Sequence, residues 1–150
     1  MNTVSYSQSK NISYINDNVV PLQINYQQAP YAENYKVKWT PRLLILDSEE
    51  FVHHQFVGFL QPQEVIPFLR LGEAKMYFDS DEFEKANKLL DLVIQEAAWS
   101  HAAPEAIYLK GVIGYKAGKD PQPLRDIFHK LQKEYPYSSW ADRAFPYWSI

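Results

Sequence analysis

At Thr40-Pro41 the chain sets a proline directly before an apolar run, Arg42-Leu43-Leu44-Ile45-Leu46, and this step restricts folding more than any other. Proline has no amide hydrogen to give to a sheet ladder, so Pro41 must open the strand or occupy a special turn. An X-Pro bond is also the one place where a cis peptide costs little, and a cis bond here would aim the Thr40 backbone sideways out of a sheet. The spacing therefore predicts a strand over 42–46, with Trp39, Thr40 and Pro41 at its mouth.

Around that strand the pattern implies a small α/β unit. Ile12 and Ile15 suggest a short amphipathic helix over 9–16, and Val19 to Asn25 reads as a strand, with Pro21 favouring an edge position or a bulge. A helical turn over 29–35 leads to the Thr-Pro step. Asp47 to Glu50 is a polar turn, and 51–57 reads as the hairpin partner of 42–46. Pro62 suits the first turn of a following helix.

From position 62 the apolar period shifts to about 3.6 and remains helical. Val65, Phe68, Leu69, Ala74, Tyr77 and Phe78 stripe one helix; Phe83, Ala86, Leu89, Leu90, Leu92 and Val93 stripe the next, with Ser80 or Asp81 as its N-cap candidate. Further helices are predicted over 104–117 and 121–134, with a short one after Ser138 or Ser139. Tyr77, followed by Phe83, Ala86 and Leu90, is echoed by Tyr115, Leu124, Phe128 and the closing Pro136, with Tyr77 and Tyr115, Ala86 and Leu124, and Leu90 and Phe128 each about 38 residues apart. This region resembles the tetratricopeptide (TPR) family. It departs from that pattern at Gly111 and Gly114, inside the second repeat's first helix, and at Leu124, where a small residue is expected. Two repeats fall short of the three that usually stand alone, so they are expected to dock on the preceding domain.

The Trp39-Thr40-Pro41 step, the strand Leu43 to Leu46, Asp47 and the Val57-Gly58-Phe59-Leu60 segment together resemble the second half of a thioredoxin-like protein. The resemblance implies an incomplete thioredoxin-like sheet over 1–61, followed by the TPR-like region 62–150 whose first helix both share. In that family a cis-proline loop faces a Cys-x-x-C pair and binds an extended partner's backbone. This chain has no cysteine, and thiol-disulfide exchange requires a thiolate. The implied protein is redox-inactive and not an enzyme: an interaction or scaffolding module with Trp39, Thr40 and Pro41 contacting a protein or peptide partner. The alternative is the rear portion of a thioredoxin-type oxidoreductase whose Cys-x-x-C lies upstream of Met1. The family's strand between those resembling 19–25 and 42–46 has no counterpart here, which leaves strand edges to close ranks, to take up residues 3–6, or to recruit a second molecule as a homodimer.

Composition narrows the partners. With 46% hydrophobic residues the chain can bury a core, and a net charge of −3 leaves no basic stripe of the kind nucleic acid needs. No window approaches a membrane span, and the polar start lacks a signal peptide's regions, so the expected location is the cytoplasm. No cofactor or metal is expected. His53 and His54 are adjacent on a strand and point to opposite faces, one solvated and one half-buried. Asp79, Asp81, Glu82 and Glu84 suit a helix start. Arg42 reads as solvated, and Trp39 either forms an exposed wall or packs in the core. The aromatic run Trp140, Phe145, Tyr147 and Trp148 is either a lid over the last helices or a partner anchor.

Overall fold

The computed structural model describes residues 1, 4–27 and 30–150. Among these the architecture is mixed but mostly helical: α1 (Ser9–Asn18), α2 (Tyr31–Asn34), β1 (Arg42–Leu46), β2 (Val52–Val57), α3 (Val65–Asp79), α4 (Phe83–Glu96), α5 (Ala102–Gly118), α6 (Gln122–Glu134) and α7 (Ser139–Ala144). Two 3-10 turns, Pro62–Glu64 and Phe145–Ser149, lead into α3 and follow α7. The chain forms two compact units, Met1–Leu69 and Arg70–Ile150, with the boundary inside α3.

In the first unit β1 and β2 form a two-stranded antiparallel hairpin, in register from Arg42↔Val57 to Ile45↔His54 and irregular between Ile45 and Leu46. Asp47 makes the turn, its Oδ1 accepting the Glu49 and Phe51 amides at 2.9 Å each. One face of the hairpin, Leu43, Ile45 and Phe56, packs against Leu60, Val65, Phe68 and Leu69. Two strands alone are marginal in water, so this face needs the first turns of α3 as its cover; burying Val65 and Phe68 is worth about 1.5–3 kcal/mol each.

The segment expected as a strand over 19–25 is not one. It has no regular structure and no ladder partner, and Val20 and Leu22 are 94% and 77% exposed. Pro21 removes a donor in the middle of the segment, and Asn25 ends it by accepting the Gln27 amide at 3.0 Å. Of the turn expected over 29–35, residue 29 lies outside the described residues and α2 supplies the rest; residue 3 of the substitute segment 3–6 also lies outside them. Of the apolar stripe expected in α1, Ile15 packs with Tyr14 against the Leu60, Val65, Phe68 and Leu69 cluster, while Ile12 is exposed. The helix is also fastened by buried Asn11, whose Nδ2 donates to the Ser5 carbonyl at 2.7 Å and the Pro62 carbonyl at 2.8 Å. Buried Ser5 adds a bond from its Oγ to the Leu60 carbonyl at 2.5 Å.

The second unit is built around α5. One of its sides packs with α3 and α4 through Leu71, Ala74, Ala86, Leu90, Val93 and Ile113; the other packs with α6 and α7 through Ile107, Leu124, Ile127, Leu131 and Ala141. Ala86 is fully buried. A Cβ placed on Gly111 would lie 2.5 Å from Ile127 Cδ1, and one on Gly114 would lie 2.8 Å from Pro123 Cβ. Gly111 and Gly114 therefore let α6 approach α5 closely. On the other side of α5 the small buried residue of α4 is Ala86, which lies in the cluster shared with α3 and α5. Ser138 caps α7 by accepting the Ala141 amide at 3.1 Å. The cap of α4 is Glu82, not Ser80 or Asp81, because Asp81 adopts a left-handed φ of 57° in the preceding turn.

Candidate functional site

The site is the chain's approach to β1. After α2 the Val37 amide donates to the Ala32 carbonyl at 2.7 Å and Lys36 takes a left-handed φ of 51°, a tight turn that redirects the backbone. Tyr35 Oη donates to Glu50 Oε2 at 3.4 Å, linking the end of α2 to the hairpin turn. Burial and the neighbouring Glu50 carboxylate both raise the Tyr35 hydroxyl's pKa.

Arg42 fixes the other side of this loop. Its guanidinium donates to the Lys36 carbonyl at 3.0 Å and to Gln55 Oε1 at 2.5 Å, so the solvated role read from the sequence gives way to a brace between the turn and β2. The Gly58 amide donates to the Pro41 carbonyl at 2.8 Å, and the Thr40-Pro41 peptide is cis. Held between these fastenings, Lys38, Trp39, Thr40 and Pro41 are all exposed. Trp39 is 71% exposed, which removes the core-packing alternative.

The Gly58–Pro41 bond also sets the polarity of the hairpin's edges. Facing residues of an antiparallel pair alternate between bonded and non-bonded, so Leu43 and Ile45 direct their backbone groups at β2. The N–H and C=O groups of Arg42 and Leu44 point to the opposite edge. No further strand pairs along that edge among the described residues. An exposed tryptophan thus stands beside a short open strand edge, an arrangement able to hold an extended chain by backbone bonds and one aromatic anchor.

The remaining candidates are structural. His53 and His54 do point to opposite faces, but neither is solvated: the His53 side chain is 6% exposed and its Nε2 lies 2.9 Å from Asp47 Oδ2, while His54 stacks on Phe68 at 4.7 Å. The His53 hydrogen bond, together with the Phe51 amide, holds the Asp47 carboxyl below the usual range. No group of three His, Cys, Asp or Glu side chains suited to a metal occurs among the described residues. Asp81 and Glu82 pair with Lys116 and Lys85. Of the terminal aromatics, Trp140 and Tyr147 cover Tyr108 at 5.1 and 5.9 Å and Phe145 meets Phe128 edge-on at 6.2 Å, while Phe145 and Trp148 keep most of their surface exposed. Burial, followed by the Tyr147 hydroxyl, pushes the Tyr108 hydroxyl up to about 12. No helix among the described residues is long and apolar enough to cross a membrane.

Lys36 and Lys38 received no role in the sequence reading. Their signal was available in the alternation of basic side chains up to Trp39 and on to Arg42. No family model, curated protein or solved structure matches the chain.

Proposed function

We propose that this is a redox-inactive, thioredoxin-like protein carrying TPR-like helical hairpins, and that it acts in the cytoplasm as a protein-interaction or scaffolding module without catalysis. The observation that carries the reading is the presentation of Trp39, exposed and held by a braced loop beside the unpaired edge of β1. Trp39, Thr40 and Pro41 form the lip that contacts a partner's extended backbone. The absence of cysteine supports the redox-inactive part, since disulfide exchange needs a thiolate nucleophile. The packing of α3 to α6 around small residues at Ala86 and Gly111 supports the hairpin-repeat part.

Selection of displayed random peptides against the full chain tests the reading. Selected peptides should lose roughly thirtyfold in affinity on Trp39→Ala, the scale of a tryptophan hot spot, and should be indifferent to Trp148→Ala. Peptides that ignore Trp39 would remove the lip from the proposal. The purified chain should also show no dithiol-dependent disulfide reduction above buffer.

A further inference from the structure

Charge around the lip narrows what it accepts. Of the four Lys and Arg residues between Met1 and Leu69, three, Lys36, Lys38 and Arg42, fall within the short segment that also contains Trp39. Lys36 and Lys38 are exposed, and among the described residues neither has a carboxylate partner. The carboxylates of the adjoining elements are Glu33 in α2 and Asp47, Glu49 and Glu50 in the hairpin turn; Asp47 is engaged by His53 and Glu50 by Tyr35. Two exposed cations therefore flank the aromatic anchor in sequence, and a third basic group braces its loop, in a unit that is otherwise acidic.

We infer that the lip selects an extended, acidic peptide segment of a partner protein, which pairs with the outward backbone groups of Arg42 and Leu44 and sets its carboxylates beside Lys36 and Lys38. This rests on the interaction role proposed above and adds the chemistry of the partner. Backbone pairing supplies a contact that any extended segment can make. Selection then falls to the side chains, where charge complementarity attracts an acidic segment and rejects a basic one. The patch has only three basic groups, few for the phosphate backbone of a nucleic acid, whose binding grows with each phosphate neutralised.

Fluorescence-anisotropy titration of the full chain decides the matter with three probes: a short peptide alternating valine and glutamate, its valine-lysine counterpart, and a single-stranded oligonucleotide. The glutamate peptide should bind roughly tenfold more tightly than the lysine peptide, the scale of two exposed ion pairs. Lys36→Glu with Lys38→Glu should abolish or reverse that preference, and N-methylation of alternate peptide amides along one edge should abolish binding. Equal binding of both peptides, lost in Trp39→Ala, would overturn acidic selection and leave the interaction role standing. Failure of both peptides to bind would sink the pairing at β1, and peptides selected independently of Trp39 would take the interaction role with it. An oligonucleotide binding as tightly as the glutamate peptide would overturn the inference in favour of a general polyanion site. A concentration-dependent dimer that excludes the peptide would overturn it in favour of a second copy on the β1 edge.

Discussion

Asn11 shows how much structural weight one polar side chain can carry. It is buried, and its amide satisfies two backbone carbonyls far apart in sequence, Ser5 and Pro62. Replacing it with alanine removes the donor from the buried Ser5 bond, at about 1–3 kcal/mol, while the Pro62 carbonyl, which also accepts the Val65 amide, keeps one partner. Thermal denaturation of Asn11→Ala should show a clear loss, larger than that of Ile12→Ala at the exposed neighbouring position. Asp47 belongs to the same scale. Its folded pKa is depressed, chiefly by His53, so its contribution is present above the unfolded carboxylate value near about 4 and is lost as pH falls through the folded value. Melting temperature measured from neutral to acidic pH should fall less steeply below that point in Asp47→Asn than in the parent chain.

For the helices the decisive feature is the distance between their axes. Ala86 is fully buried among Leu71, Ala74 and Val93, and Ala86→Leu should overpack that crossing by about 1–3 kcal/mol. At Gly111 two effects oppose one another. Alanine gains about 1 kcal/mol of helix propensity, yet its Cβ meets three carbons of Ile127 at 2.5–2.8 Å. The collision should win, because Ile127 is itself buried against α5. Gly111→Ala should therefore lower the melting temperature, and in the double variant with Ile127→Ala the losses should sum to less than the two singles, as residues in contact require.

Across the whole molecule the two units depend differently on α3. The first unit's buried cluster is Leu60, Val65, Phe68 and Leu69, three of them from that helix, whereas the two clusters of the second unit draw only on residues from Leu71 onward. A fragment of residues 62–150 should thus retain helical circular dichroism and a cooperative melt. A fragment of residues 1–61, deprived of most of its core, should show neither. If both fragments behaved alike, α3 would not be the supporting element of the first unit.

Local chemistry made much of this legible beforehand. The hairpin over 42–57, Pro62 at a helix start and the helices to 144 follow from apolar periodicity and turn residues that act within a few positions. The place of the Trp39-Thr40-Pro41 step at the mouth of β1 was readable because proline's missing donor is a covalent fact. The tertiary structure decided the rest. Val19 to Asn25 has strand composition yet no ladder, since a strand exists only where a partner satisfies its backbone, and pairing is not encoded in the segment alone. The exposure of Trp39, the burial of Asn11 and the engagement of Arg42 each depend on what distant residues bring against them. The glycines of α5 looked like defects in a repeat until the side chains of α6 were seen against them. Periodicity reports which face of an element is apolar; the identity of the neighbour that fills that face is set only when the chain is folded.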